Sequence, residues 1–154
     1  MTFGNTVLES NKRIVHRFLD ECWNGGSMAT LSELVSPRCR HNDPVFPHMP
    51  PGLDSIQTHI QNSHRAFPNL KFTVTDTIAE ANEVVVHWTA VGTHKGDFLG
   101  IPATNRDAHI AGTSIFRIED GKIVEEWANW NLMSLMEQLG VRTFPHERVH
   151  VGWE

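Results

Sequence analysis

The sequence carries two pairs of polar residues whose spacing suits acid–base chemistry, and the first pair is Asp107 and His109. They are two residues apart in a stretch rich in strand-forming residues, so a strand would project both side chains to the same side. Histidine changes its charge near neutral pH, and a carboxylate beside it can act as a partner or as a second acid or base. The pair is therefore a candidate catalytic pair; the alternative is a solvent-facing strand end.

The second pair, His41 and Asp43, shares one side of an extended segment that leads into a proline-rich loop. Asp43 is a candidate general base, and His41 is a candidate substrate-binding residue. The alternative is structural, because an aspartate before a proline such as Pro44 commonly forms a turn.

Two asparagines, Asn129 and Asn131, follow in the next predicted strand. Their amide N–H groups could bind a carbonyl or enolate oxygen of a substrate. The alternative for Asn131 is that its side chain caps the last helix.

A β-hairpin is predicted around Asp120-Gly121, and its register decides which polar residues lie together. A two-residue loop places His109 on the face away from Asn131. A three-residue loop with a bulge pairs Ile118 with Lys122 and places His109 opposite Asn131. We favour the bulged register, because it gathers the polar groups on one wall.

These residues must be positioned by helices in the first half of the chain and by strands in the second half. Apolar residues recur at helical spacing over residues 10–24, 27–36 and 54–67, which predicts three helices, and at period two over residues 70–78 and 84–90, which predicts two strands. The hairpin follows over residues 106–131, and a last helix is predicted over residues 132–139. This order indicates an α+β domain with helices packed on a curved, mostly antiparallel sheet, which can enclose an apolar cavity. We assign residues 10–140 to the domain and 141–154 to a C-terminal tail.

Composition and charge exclude several functional classes. The net charge is −5 with scattered basic residues, which argues against a nucleic-acid partner. No apolar stretch approaches the ~20 residues that span a membrane, and a signal-peptide pattern is absent, so we expect a soluble cytoplasmic protein. The only histidine pair at helical spacing is His146 and His150, in the tail, and Cys22 and Cys39 lack metal-ligand spacing, so no metal site is predicted.

Several segments resemble the SnoaL-like polyketide cyclases of the nuclear transport factor two-like superfamily. The resemblance covers roughly residues 10 to 140 and rests on Phe18-Leu19-Asp20-Glu21-Cys22-Trp23-Asn24-Gly25-Gly26, His41-Asn42-Asp43-Pro44, Ala66-Phe67-Pro68-Asn69-Leu70, Gly92-Thr93-His94-Lys95-Gly96, Leu99-Gly100-Ile101-Pro102 and the stretch from Phe116 to Trp127. It implies a cone-shaped α+β barrel with a deep pocket, a hydrophobic small-molecule substrate, no cofactor and a homodimer.

The resemblance also implies roles for particular residues. In these cyclases an aspartate near the end of the last strand is the general acid/base, and the matching position here is Asn131. Asp43 is the best replacement, because Asp43-Pro44-Val45 resembles the stretch that carries the base in ketosteroid isomerases of the same superfamily. Trp23 and Trp127 are candidates for stacking on a flat substrate; the alternative for such tryptophans is core packing.

Three functions follow as hypotheses. The first is a cyclase or isomerase that uses acid–base chemistry on a carbonyl-bearing, polyketide-like or terpenoid-like metabolite. The second is a non-catalytic binding member of the superfamily, which has lost its acid at Asn131. The third is an epoxide hydrolase, for which only Arg106 and Asp107 are suggestive.

Overall fold

A computed structural model describes residues 3–141, so residues 142–154 of the predicted tail, with His146 and His150, lie outside the described residues. Four α-helices and five β-strands follow one another as α1 (Phe3–Arg17), α2 (Met28–Leu34), β1 (Val35–Asn42), α3 (Leu53–Ala66), β2 (Lys71–Glu80), β3 (Glu83–Thr93), β4 (Asp107–Glu119), β5 (Lys122–Trp130) and α4 (Leu132–Gln138). A π-helical turn, Phe18–Asn24, continues α1. No helix among these is long and apolar enough to cross a membrane.

The strands form one sheet in the order β1-β5-β4-β3-β2. β1 runs parallel to β5, and the other neighbours are antiparallel. β1 and β2 are the two edges, so the sheet remains open. The helices pack on one face of it, which confirms the predicted α+β architecture.

Buried and exposed side chains alternate along the strands, and the buried ones pack against the helices. In β3 the even-numbered residues from Val84 to Ala90 are buried, and in β4 the even-numbered residues Phe116 and Ile118 join the same core. The odd-numbered residues of both strands lie on the outer face. A one-residue change of register would exchange the two faces.

Side-chain caps explain where α2 and α4 begin. Ser27 begins α2 as predicted, since its hydroxyl accepts a hydrogen bond from the Thr30 backbone N–H. Asn131 caps α4 by accepting from the backbone N–H of Ser134 at 2.9 Å. The prediction was wrong for α1, which begins at Phe3 rather than near residue 10, and for β1, which begins at Val35, where we expected the end of α2.

The β4–β5 hairpin begins in the predicted two-residue register, with Glu119 opposite Lys122, and departs from it further along the strands. Asp120-Gly121 forms a two-residue turn with φ of 50° and 73°, which is typical of a type I′ turn. Ile118 then pairs with Ile123 and Arg117 with Glu125, so Val124 is an extra, bulged residue in β5. The bulge lies in the strand, and not in the loop where we had placed it.

Candidate active site

A cavity lies between the helices and the concave face of the sheet. It contains about 800 Å³ of empty space, including the open solvent at its mouth. Its walls are mostly apolar and aromatic, with contributions from Leu19, Trp23, Phe46, Phe67, Leu70, Phe72, Trp88, Phe98, Ile110, Ala128, Trp130 and Leu135. Such a cavity suits a small hydrophobic molecule.

A compact polar group, formed by His41, Asp43 and Glu126, interrupts these walls. His41 and Glu126 are register partners in the parallel pair β1–β5. His41 Nδ1 donates to Glu126 Oε2 at 2.9 Å, and His41 Nε2 lies 3.9 Å from Asp43 Oδ2. The side chains of His41, Asp43 and Glu126 are only 5%, 3% and 9% exposed, respectively.

Asp43 is held in place by two further donors. Trp130 Nε1 donates to its Oδ2 at 2.9 Å, and the Val45 backbone N–H donates to its Oδ1 at 2.8 Å. The second bond is the turn device anticipated for an aspartate before a proline. Asp43 therefore combines the turn-forming role with a position on the cavity wall.

The charges of this group follow from its burial and its neighbours. Burial acts to lower the pKa of His41, but the Glu126 and Asp43 carboxylates outweigh it and raise the pKa to about 10. Burial acts to raise the pKa of Asp43, but nearby His41 and the donors Trp130 and Val45 lower it. At neutral pH the resting group is an imidazolium beside an Asp43 carboxylate.

His59, which the sequence analysis did not select, completes the polar end of the cavity. Its ring centroid lies 5.2 Å from that of His41 and 5.5 Å from that of Trp23. Burial and the charge of His41 lower the pKa of His59 to about 4, so its ring is neutral. Helical spacing could have identified it, because His59 follows Ile56 by three residues on the buried side of α3.

Glu126 was also missed. With Ala128 and Trp130 it occupies alternate positions of β5 that face the cavity. A carboxylate in an otherwise buried alternation is the signal that could have identified it.

Asp107 and His109 are not in the cavity, contrary to the predicted arrangement. Both side chains lie on the exposed outer face of β4, because its inward positions hold the apolar residues. Asp107 accepts a hydrogen bond from Thr93 Oγ1 at 2.7 Å, and the backbone of His109 pairs with the Gln138 side chain.

Three further candidates also lie outside the cavity lining. Asn129 is exposed on the outer face, and Asn131 serves as the cap of α4. Trp127 lies on the outer face, where the guanidinium carbon of Arg117 is 5.3 Å from its ring centroid. Of the eight predicted site residues, the fold brings together His41, Asp43 and Trp23.

Comparison with known proteins agrees with this architecture. Residues 13–139 match the model of the SnoaL-like polyketide cyclase family. No curated protein matches the chain.

Solved structures extend the comparison. TsrD from Streptomyces laurentii is 28% identical with a TM-score of 0.79, covering 87% of this chain and 97% of its own. IdmH from Streptomyces antibioticus is 28% identical with a TM-score of 0.73, covering 85% and 99%. AclR from Streptomyces galilaeus is 24% identical with a TM-score of 0.76, covering 90% and 87%. The chain belongs to the SnoaL-like polyketide cyclase family.

Proposed function

We propose that this chain is an acid–base enzyme of the polyketide cyclase type, which forms and uses an enolate of a hydrophobic, carbonyl-bearing small molecule. The observation that carries the proposal is the buried His41–Asp43–Glu126 group at one end of an aromatic cavity. A base and a proton donor lie side by side there, which is what enolate chemistry needs.

Asp43 is the proposed base. Its carboxylate removes a proton from the carbon next to a carbonyl group, and the electron pair of the C–H bond moves into the enolate. Because the pKa of Asp43 is lowered, it is a weak base and suits an acidic C–H, such as one between two carbonyl groups. A polyketide-like substrate supplies such a carbon.

His41 is the proposed electrophile. Its Nε2 has no hydrogen-bond partner within residues 3–141, so its N–H is free to donate to the enolate oxygen. Glu126 holds the opposite side of the ring and keeps the imidazole protonated. The enolate carbon can then attack a second carbonyl, which gives ring closure, or take the proton back at another position, which gives isomerisation.

The cavity lining gives less support to an epoxide hydrolase than to a non-catalytic binding protein. Arg106 and Asp107, on which an epoxide hydrolase reading depends, do not line the cavity. A non-catalytic binding function remains the second candidate, because Asn131 caps a helix and no carboxylate stands at that position. The homodimer and the cytoplasmic location stay predictions.

The decisive experiment follows deuterium exchange at the activated carbon of a hydrophobic aryl β-ketoester by NMR in D₂O. We expect the protein to accelerate exchange above the buffer rate, and Asp43→Asn to lower that acceleration by roughly 10²–10⁴-fold. Asp107→Asn, on the outer face, is the matched control and should leave the rate unchanged. A protein that binds the ester without accelerating exchange would support the binding function instead.

A further inference from the structure

The polar end of the cavity holds three side chains that metals commonly use. Among the described residues, His41, Asp43 and His59 each offer one donor atom, and these atoms all lie within 4.8 Å of one another. Two donors come from β1 and the loop after it, and the third comes from α3. This convergence is invisible in the sequence, where His59 is separated from the pair.

The free nitrogen of His41 points to a ligand. The side chain is only 5% exposed, and its Nε2 has no hydrogen-bond partner in the part of the chain that the structure describes. A buried polar atom in this state needs an explanation. Asp43 Oδ2 lies 3.9 Å from this nitrogen, which is too long for a hydrogen bond.

The surroundings of the donors resemble the outer partners of metal ligands. His41 Nδ1 donates to the Glu126 carboxylate at 2.9 Å, an arrangement that fixes the ring with Nε2 directed inward. Asp43 is held by Trp130 and by the Val45 backbone. The His59 ring makes contacts with neighbouring rings and no hydrogen bond among the described residues.

We propose that His41, Asp43 and His59 form a binding site for a divalent transition metal such as Zn²⁺ or Co²⁺. Two imidazoles and one carboxylate suit these metals, whereas Mg²⁺ and Ca²⁺ prefer sites made of oxygen atoms. Ligands about 2.0–2.2 Å from zinc lie roughly 3–3.5 Å apart, so the side chains must move closer by about 1–2 Å on binding.

A bound metal would take His41 Nε2, which releases its proton to solvent on binding, and an Asp43 oxygen, the two atoms that the proposed acid–base steps use. The metal is therefore expected to inhibit turnover. This consequence rests on the proposed function, whereas metal binding itself does not.

The test is a Co²⁺ titration of chelator-treated protein, followed by visible absorption and by calorimetry. We expect one Co²⁺ per chain with an intense visible band, and competition by Zn²⁺. His59→Phe keeps a ring in place and removes a ligand, so it should weaken binding by more than ~100-fold, beyond the 10–100-fold typical of outer partners. His87→Phe is the matched control, because His87 lies exposed on the outer face of β3 and should not matter.

Asp43→Asn provides a second ligand variant in case His59→Phe does not fold. Absence of the visible band in the wild type, or a band that persists in both ligand variants, would overturn the site. Binding that leaves β-ketoester exchange unaffected would uphold the metal site and refute the acid–base roles of His41 and Asp43. Binding that stops exchange would support both.

Discussion

The pair His41–Glu126 makes the stability of this protein depend on pH, and one substitution should reduce that dependence by more than half. The pKa of His41 is raised from 6.5 to about 10 in the folded protein, so its contribution to stability is complete below pH 6.5 and is lost as the pH rises towards 10. Between about pH 7 and about pH 8.5 the folded protein holds this proton while the unfolded chain has largely lost it. At about 1.36 kcal/mol per pH unit, the wild type should lose about 2 kcal/mol of unfolding free energy over this interval.

Glu126→Gln keeps the size of the side chain and an oxygen that can accept from His41 Nδ1. It removes the charge that contributes most to raising the pKa of His41, so burial should bring that pKa down. We expect the variant to show less than half of the wild-type loss. The assay is urea unfolding followed by tryptophan fluorescence at both pH values.

The two cysteines and a control variant allow the difference between wild type and Glu126→Gln to be assigned to His41. Burial raises the pKa of Cys22 to about 11. Burial, with a smaller effect of nearby carboxylates, raises the pKa of Cys39 to about 12. Both thiols therefore stay protonated between about pH 7 and about pH 8.5 in the folded wild type and in the folded variant. Glu125→Gln is the control, because the neighbouring Glu125 pairs with Arg117 at 2.5 Å and should change stability equally at both pH values. A wild-type loss below about 0.5 kcal/mol, or an equal loss in Glu126→Gln, would refute a protonated His41.

Three substitutions test the packing that shapes the cavity, each by the free energy of urea unfolding. Ser114→Ala leaves the buried Trp88 Nε1 without its acceptor at 3.1 Å and should cost about 1–3 kcal/mol; no loss would mean that the indole finds another partner. Gly112→Ala places a Cβ 2.4 Å from the Trp88 ring and 2.9 Å from the backbone oxygen of Asn129, and should cost about 1–3 kcal/mol; no loss would mean that both neighbours can shift freely. Asn131→Ala removes the cap that accepts from Ser134 and should cost about 0.5–2 kcal/mol, whereas Asn131→Asp should stay near wild type; equal losses would exclude the capping role.

Periodicity predicted the fold because the buried faces here are regular. The helical spacing through Val15, Leu19 and Trp23 and the alternation from Val84 to Ala90 both correspond to core residues. Element boundaries were less predictable, since α1 extends back to Phe3 and residues 6–10 of it are mostly exposed. The π-helical turn Phe18–Asn24 also leaves no clear trace in the spacing.

The site was predictable only in part, because its members come from distant positions. His41 and Asp43 could be found from their type and spacing, but Glu126 is 85 residues away and meets His41 only through the parallel β1–β5 pairing. Asp107 and His109 were misplaced because we took the face that gathers polar groups for the cavity wall; in the structure Asp107, His109 and Asn129 do share a face, but it is the outer one. The better guide was burial, since the residues that alternate with them, including Ala108 and Phe116, are those that the core needs.

The bulge at Val124 decides which of two consecutive glutamates serves the cavity. With the two-residue turn alone, Ile118 would pair with Ile123 and Phe116 with Glu125, so Glu125 would face inward. The extra residue shifts the pairing, and Phe116 lies opposite Glu126 instead. Because facing residues share a side of the sheet, this single residue also turns Ala128 and Trp130 inward and Asn129 outward. The polar group around His41 therefore depends on a local irregularity in β5 as much as on the residues that compose it.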